Sequence, residues 1–103
     1  MFKLLLMDYD GIKIWIKISG QVKSICPVSH EVDYHYFEIH YIPRNKIIEV
    51  LKLKEIFNKW DELEFTSEEW VNRIYSLLHD LNPIKLNVKV VDNSLGFRVE
   101  VSL

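Results

Sequence analysis

Residues 12–19 read Ile-Lys-Ile-Trp-Ile-Lys-Ile-Ser, with an isoleucine at every second position. Successive side chains of a strand point to opposite faces, so this stretch predicts a β-strand with one buried face. Gly20 predicts a bulge or bend, after which the strand continues. Upstream, Asp10-Gly11 is a turn signal, which leaves Phe2–Met7 as a candidate additional edge strand.

Three further strands are predicted downstream of a loop at residues 26–33. Tyr34–Ile42 is rich in aromatic and β-branched residues and stops before Pro43, as a strand does. Apolar and polar residues alternate again over residues 84–90 and 97–103, on either side of a turn. These two segments predict a hairpin with one wet face.

Between the strands the apolar period becomes helical. Apolar residues recur at i, i+3, i+4 and i+7 over residues 53–60, which predicts a first helix. Thr66 and Glu69 have the spacing of a capping box at the start of a second helix, which ends at Asn82-Pro83. The order β-β-α-α-β-β predicts an α+β fold, an antiparallel four-stranded sheet with two helices on one face, in a single domain over residues 1–103.

Composition narrows the class of protein. The chain is 49% hydrophobic and 27% charged, which is typical of a globular domain and excludes disorder. Its net charge of -2 does not favour a general nucleic-acid binder, so any RNA contact must come from local patches. No apolar run approaches a membrane span and the N-terminus lacks a signal-peptide pattern, so we expect a cytoplasmic protein without a membrane partner.

Cys26 is the only cysteine, and Asp33 follows it seven residues later. A thiolate is a strong nucleophile, and a nearby carboxyl group can move the protons that such chemistry needs. The plain alternatives are that Cys26 is an inert, buried apolar residue and that Asp33 is a turn residue before a strand. Composition and pattern alone leave both alternatives open.

A set of residues at fixed spacing resembles a known family. The set comprises Cys26-Pro27-Val28, Asp33, Tyr41-Ile42-Pro43, Glu49, Glu68, Val71-Asn72 and Asn82-Pro83. Over about residues 20–92, it is similar to the QueF nitrile reductases, which have the tunnelling fold. The resemblance implies a ring-forming β-β-α-α-β-β unit, for which stacked pentamers are one arrangement. It also implies a nucleophile at Cys26, an acid at Asp33 and a substrate-binding carboxylate at Glu68.

The segment that binds the nicotinamide cofactor in the reductases departs from their pattern. The family reads Glu-(Ser/Leu)-Lys-(Ser/Ala)-hydrophobic-Lys-(Leu/Tyr)-aromatic, whereas residues 49–56 read Glu-Val-Leu-Lys-Leu-Lys-Glu-Ile. Leu51 replaces the first Lys, Glu55 an apolar or aromatic residue, and Ile56 the aromatic residue. These departures favour the archaeal QueF-like relatives, which use no redox cofactor. The resemblance then implies conversion of the nitrile of 7-cyano-7-deazaguanine in tRNA to the formamidine of archaeosine, with tRNA and ammonia as partners.

Each implied role fits the chemistry of its side chain. The thiolate of Cys26 would attack the electrophilic nitrile carbon to give a thioimide, while Asp33 supplies a proton to the nitrogen. Glu68 would accept the two adjacent N–H donors of the guanine-like edge, although an acid in a first helical turn is favoured by the helix dipole in any case. The family places a Phe-His pair just before this Glu, where this chain has Thr66 and Ser67.

Two other functions stay open on the sequence. One is an NADPH-dependent reductase of the free nitrile base, and the other is a non-enzymatic, ring-forming interaction module whose thiol is only structural. The histidines do not predict a metal site, because His35 and His40 lie an odd number of residues apart and point to opposite faces of their strand. Trp15, Trp60 and Trp70 are interpreted as core or subunit-contact residues.

One charge pattern also has two readings. The cations Lys13, Lys17, Lys85, Lys89 and Arg98 are predicted on the sheet face opposite the apolar residues. Such a face is usually just solvated. In a ring it would line the central tunnel and attract phosphate.

Overall fold

The computed structural model describes residues 6–8 and 13–103. Its elements in chain order are β1 (Leu6–Asp8), β2 (Ile16–Ile25), β3 (Val32–Ile42), β4 (Lys46–Ile48), α1 (Val50–Lys59), α2 (Ser67–His79), β5 (Lys85–Asp92) and β6 (Val99–Ser102). The main sheet is antiparallel, in the order β2-β3-β5-β6, and the two helices cover one of its faces. The predicted fold class is therefore confirmed, and the short strands β1 and β4 are additions to the predicted order β-β-α-α-β-β.

The pairing of β2 with β3 is regular along its whole length. It runs without interruption from Ile16 opposite Tyr41 to Ile25 opposite Val32, so the bulge predicted at Gly20 is wrong. Gly20 lies opposite Phe37, and a Cβ atom there would come within 3.3 Å of the Phe37 ring. The glycine makes room for a core aromatic ring, a reason that a single-sequence pattern does not distinguish from a bend.

The N-terminal strand is present but belongs elsewhere. The described residues Leu6–Asp8 pair antiparallel with Lys46–Ile48 in a separate two-stranded sheet, so β1 does not extend the edge of the main sheet. The rest of the predicted Phe2–Met7 strand and the Asp10-Gly11 turn lie outside the described residues. The isoleucine-rich strand begins at Ile16, because residues 13–15 are not paired in a ladder.

Both helices begin at side-chain caps. The carboxylate of Glu49 accepts hydrogen bonds from the backbone N–H groups of Leu51 and Lys52, at 3.1 and 2.8 Å. Thr66 and Glu69 form the predicted capping box, with the Thr66 hydroxyl accepting from the Glu69 N–H at 3.2 Å. These bonds satisfy N–H groups that have no partner inside a helix, and they fix where α1 and α2 start.

The core lies between the main sheet and the two helices. Trp70 lies at the centre of this core and is 0% exposed. Its ring packs against those of Phe57, Trp60 and Phe65 in tilted or edge-to-face geometry. Trp60 is buried as well, so the core interpretation of these two tryptophans is confirmed. Trp15 is 49% exposed and lies against His40, with ring centroids 4.3 Å apart.

The outer face of the sheet is mixed in charge. Glu38 lies 2.9 Å from Lys17 and 3.0 Å from Lys89, and Glu100 lies 3.3 Å from both Lys89 and Arg98. The prediction of a basic face is therefore wrong. Three of its five predicted cations, Lys17, Lys89 and Arg98, are paired with carboxylates on the same face. Neither helix of the described part is long and apolar enough to cross a bilayer.

Candidate active site

Cys26 directly follows β2 and opens a tight turn that leads into β3. Its backbone N–H donates to the Glu31 carbonyl at 2.8 Å, and its carbonyl accepts from the His30 N–H at 2.9 Å. His30 has a φ of 61°, in the left-handed region, which closes the turn. The His30 ring is also 3.1 Å from the Glu64 carboxylate, so the turn is held against the loop that precedes α2.

The surroundings of the Cys26 sulfur favour the thiolate. A hydrogen bond from the Ser29 hydroxyl, joined by the N–H groups of Ser29 and Val28, lowers the pKa of the Cys26 thiol below its ordinary value, against smaller opposing effects of burial and of the nearby Asp33 charge. Donors that point at a sulfur stabilise its anion. The side chain is partly exposed, so the thiolate is open to an incoming substrate.

This environment predicts a measurable titration. Because the pKa of Cys26 is lowered, its thiolate is populated nearer neutral pH and alkylation by iodoacetamide should be fast there. Ser29→Ala removes the hydroxyl donor that contributes most, so the midpoint of the rate-versus-pH curve should move to higher pH. Ser19→Ala, an exposed serine on β2, is the matched control and should leave the midpoint unchanged. Equal midpoints for Ser29→Ala and the unmodified chain would contradict this account.

Cys26, Asp33 and Glu68 meet in one cleft of about 430 Å³. The cleft lies at the end of the main sheet, between the Cys26 turn, the start of α2 and the β5–β6 turn. The residues that complete its lining are Pro27, Val28, Ser29, Glu31, Val32, Phe65, Thr66, Ser67, Asp92, Ser94, Leu95 and Val99. The three residues predicted to act together are thus brought together from three elements that are distant along the chain.

Asp33 belongs to a cluster with His35 and Asp92, here called the proton cluster. One Asp33 oxygen is 3.6 Å from His35 Nε2, and one Asp92 oxygen is 3.8 Å from His35 Nδ1. Burial, together with a side-chain hydrogen bond to Asp92, raises the pKa of Asp33. For Asp92, burial alone would raise the pKa, but hydrogen bonds from Ser94 and Asp33 have the larger combined effect. The pKa of Asp92 is therefore lowered. Of the two carboxyl groups, Asp33 therefore holds a proton more readily than Asp92.

His35 is 1% exposed and connects the sheet to α2. Its Nε2 is 3.3 Å from the Ser24 hydroxyl, and its Nδ1 is 3.2 Å from the Ser67 hydroxyl. Burial lowers the pKa of His35, although the carboxylates of Asp33, Asp92 and Glu68 act in the opposite direction. An imidazole thus lies beside Ser67, the position at which the resembling family carries His, but it comes from β3.

Glu68 is exposed in the first turn of α2 and faces the cleft. The capping box of Thr66 and Glu69 fixes the backbone of this turn, and so fixes the point from which the Glu68 side chain extends. Its exposure leaves both oxygens open to donors of a bound base.

The sequence did not predict Ser29, His35 and Asp92 as site residues. Of these, only His35 could have been suspected, because it is a histidine at a position of β3 whose side chain points to the buried face.

Asp33, His35 and Asp92 could offer three ligand atoms to a cation, since these atoms lie within 4.8 Å of one another. Both His35 nitrogens already face serine hydroxyls, and we assign no metal to the cluster. The segment that corresponds to the reductases' cofactor motif forms the start of α1, where Leu51 is 61% exposed and Ile56 is a core residue. These two side chains do not fit the roles of a phosphate-binding Lys and an exposed aromatic ring.

A second cleft, of about 410 Å³, lies between β2 and α1. Apolar, amide and charged residues of β2, β3, α1 and the turn after α1 line it, among them Lys23, Lys54 and Asp61. It contains no cysteine, and none of Cys26, Asp33 and Glu68 reaches it. The residues that the sequence predicts as catalytic therefore all lie in the cleft at the end of the sheet.

Comparison with known proteins places this chain in a family. No protein-family model matches the chain. It is 32% identical over 98 residues to the NADPH-dependent 7-cyano-7-deazaguanine reductase of Wolinella succinogenes, covering 84% of this chain and 79% of that protein. It is 26% identical over 87 residues to the archaeosine synthase of Pyrobaculum calidifontis, covering 84% and 80%.

A solved structure shows the same fold. The crystal structure of the archaeosine synthase QueF-Like in the apo form superposes with a TM-score of 0.78 at 24% identity, over 86% of this chain and 90% of that one. The sequence relatives cover most of both proteins and carry the family assignment, while the superposition supports the fold. The chain therefore belongs to the family that comprises the 7-cyano-7-deazaguanine reductases and the QueF-like archaeosine synthases.

Proposed function

We propose that this protein is a tRNA-modifying amidinotransferase. It would convert the nitrile of 7-cyano-7-deazaguanine in tRNA to the formamidine of archaeosine, with ammonia as the nitrogen donor and without a redox cofactor. The observation that carries the proposal is the cleft that brings together the thiol of Cys26, whose pKa is lowered, the carboxyl group of Asp33, whose pKa is raised, and the exposed carboxylate of Glu68. The mismatch of Leu51 and Ile56 to the reductases' cofactor motif supports the choice of product.

The reaction uses these groups in two stages. The Cys26 thiolate forms a bond to the nitrile carbon, and one C–N π pair moves to the nitrogen, which takes the proton from Asp33. Ammonia then adds to the thioimide carbon, and a proton passes from the incoming nitrogen to the imide nitrogen. The C–S bond breaks, the thiolate leaves with its electron pair, and the amidine departs as its cation. A proton from solvent restores Asp33.

Glu68 would hold the base while this happens. A guanine-like edge presents two N–H donors side by side, and a carboxylate accepts such a pair with both oxygens. Desolvation of the exposed Glu68 by the base would strengthen these bonds. Thr66 and Ser67 offer hydroxyls but no ring at the adjacent positions, so stacking of the base would rest on other groups.

The reductase is the second candidate, because the Wolinella relative is a reductase and because Lys54 faces a separate cleft beside α1. The two functions give different products. We expect tRNA that bears the nitrile base, supplied with ammonium, to acquire a formamidine detectable by nucleoside mass spectrometry. The free base supplied with reduced nicotinamide should stay unchanged, with no loss of cofactor absorbance. Amine formation with cofactor oxidation would make the reductase the answer.

We further propose that the chain forms a ring, with stacked pentamers as one arrangement. Among the described residues, β2 and β6 each present one edge that pairs with no other strand. The residues flanking β6 are also apolar and exposed, Phe97 at 73% and Leu103 at 52%, so a partner strand at this edge would cover them. Sedimentation should show a discrete oligomer at micromolar concentration. A monomer under those conditions would contradict the ring.

The compartment follows from the nucleophile. Cys26 acts only as a free thiolate, and a reducing compartment keeps a lone, partly exposed thiol from oxidation. We therefore propose that the protein works in the cytoplasm.

A further inference from the structure

The proton cluster contains one carboxyl group more than the proposed reaction uses. A carboxylate oxygen of Asp33 on β3 lies within 4.8 Å of a carboxylate oxygen of Asp92 on β5, and each side chain is only about one-sixth exposed, at 16% and 17%. Two carboxylates at this distance repel each other, so a proton between them is strongly favoured. A lone catalytic acid would need no such neighbour.

We propose that Asp92 is a positioning residue for the proton that Asp33 delivers, and that His35 fixes the geometry of the pair. The proposal rests on the proposed role of Asp33 as the proton donor. Asp92 accepts the hydrogen bond of the protonated Asp33 carboxyl group and so holds its proton until the nitrile nitrogen develops charge. The Ser94 N–H, 2.8 Å from the other Asp92 oxygen, anchors the acceptor.

The hydrogen bonds around His35 define its tautomer. The Trp70 indole N–H donates to the Ser24 oxygen at 3.0 Å, and the Ser24 hydroxyl donates to the Phe65 carbonyl at 3.3 Å. With its only proton used there, Ser24 accepts from His35 Nε2–H. His35 Nδ1 is then the bare nitrogen and accepts from the Ser67 hydroxyl. Burial, which lowers the pKa of His35, favours this neutral imidazole, and a neutral ring does not balance the charge of the Asp33–Asp92 pair.

The charges around Asp33 favour its protonated form. The titratable groups that act on Asp33 are Asp92 on β5, His35 on β3 and the Cys26 thiol, while Glu31 and Glu68 line the same cleft. When His35 is neutral, no cation among these groups offsets the charge of Asp92. Loss of the Asp33 proton to the substrate therefore leaves two adjacent carboxylates, which favours rapid return of a proton for the next turnover.

The test compares Asp92→Asn with Asp92→Glu. Removing the Asp92 charge lowers the pKa of Asp33, so the upper limb of the pH–rate profile for formamidine formation should move to lower pH by about one unit, a tenfold loss above that limb. Asp92→Glu keeps a carboxylate and should restore most of the profile. Asp80→Asn, on an exposed aspartate that follows α2, is the matched control and should leave the profile in place. An unmoved limb in Asp92→Asn would overturn the proposal.

A second measurement needs neither substrate nor a folded variant. In the unmodified chain, carbon-detected NMR of the aspartate carboxyl groups should give Asp33 a pKa above the ordinary aspartate value and Asp92 a pKa below it. The titration curve of each residue should also show a second inflection at the pKa of the other. If the two titrate independently in the ordinary range, the proposal fails whatever the reaction is. If they titrate as a pair but no formamidine forms, the pairing stands and the proposed function fails.

Discussion

Cys26→Ala abolishes the proposed reaction. Because the nucleophile forms a covalent bond to the nitrile carbon, no neighbouring group can replace it, and we expect formamidine formation on tRNA to fall by a factor on the order of 10⁴ or more. Cys26 is only partly buried and lies outside the buried core, so the fold should survive the change. Turnover at saturating tRNA and ammonium is the measurement.

The control is a serine outside the cleft. Ser76→Ala, on the exposed side of α2, removes a hydroxyl that does not line the cleft and should keep the full rate. The circular dichroism spectrum of Cys26→Ala should match that of the unmodified chain. A Cys26→Ala protein with more than a few per cent of the original rate would require a mechanism without a thioimide.

Trp70→Ala should cost the most stability of any change in the core. The side chain is 0% exposed, packs between three aromatic rings, and donates its indole N–H to Ser24. A buried tryptophan truncated to alanine lowers the free energy of unfolding by roughly 3–5 kcal/mol. That is a large part of the total for a small domain, about 5–15 kcal/mol. Denaturant unfolding at fixed protein concentration measures it.

The matched control for this change is Trp15→Ala. Trp15 is half exposed and its ring contact is with His40, so its loss should cost only about 1 kcal/mol. The Trp70 change should also loosen His35, because Ser24 loses the donor that orients it. Equal losses for the two tryptophans would contradict the placement of the core.

Local patterns predict the fold well here because most elements are amphipathic. Alternation along β2, β3 and β5 and the apolar stripes of α1 and α2 each identify one buried face. The misses have physical causes. Strand β4 has three residues, too few to show a period, and the partner of β1 is decided by long-range pairing. Gly20 reads as a bend unless the ring opposite it is known.

The candidate site also contains residues that the sequence predicts and residues that it does not. Cys26, Asp33 and Glu68 are found through spacing and resemblance, and the structure brings them into one cleft. Asp92 could not be found, because it joins Asp33 only through the pairing of β3 with β5 and reads locally as a turn residue. The neutralising role of Glu38 and Glu100 on the outer face also depends on strand pairing, because each contacts a cation on a neighbouring strand.

The most direct test of the central claim is the intact mass of the protein after incubation with 7-cyano-7-deazaguanine in buffer free of ammonia. Nothing leaves when a thiol adds to a nitrile, so one equivalent should raise the mass by the full mass of the base. The adduct should map to Cys26 and be absent from Cys26→Ala. Nitrile-bearing tRNA, supplied in parallel, should give a covalent protein–tRNA species that ammonium discharges. An unchanged mass with the base, and no covalent species with the tRNA, would contradict the account.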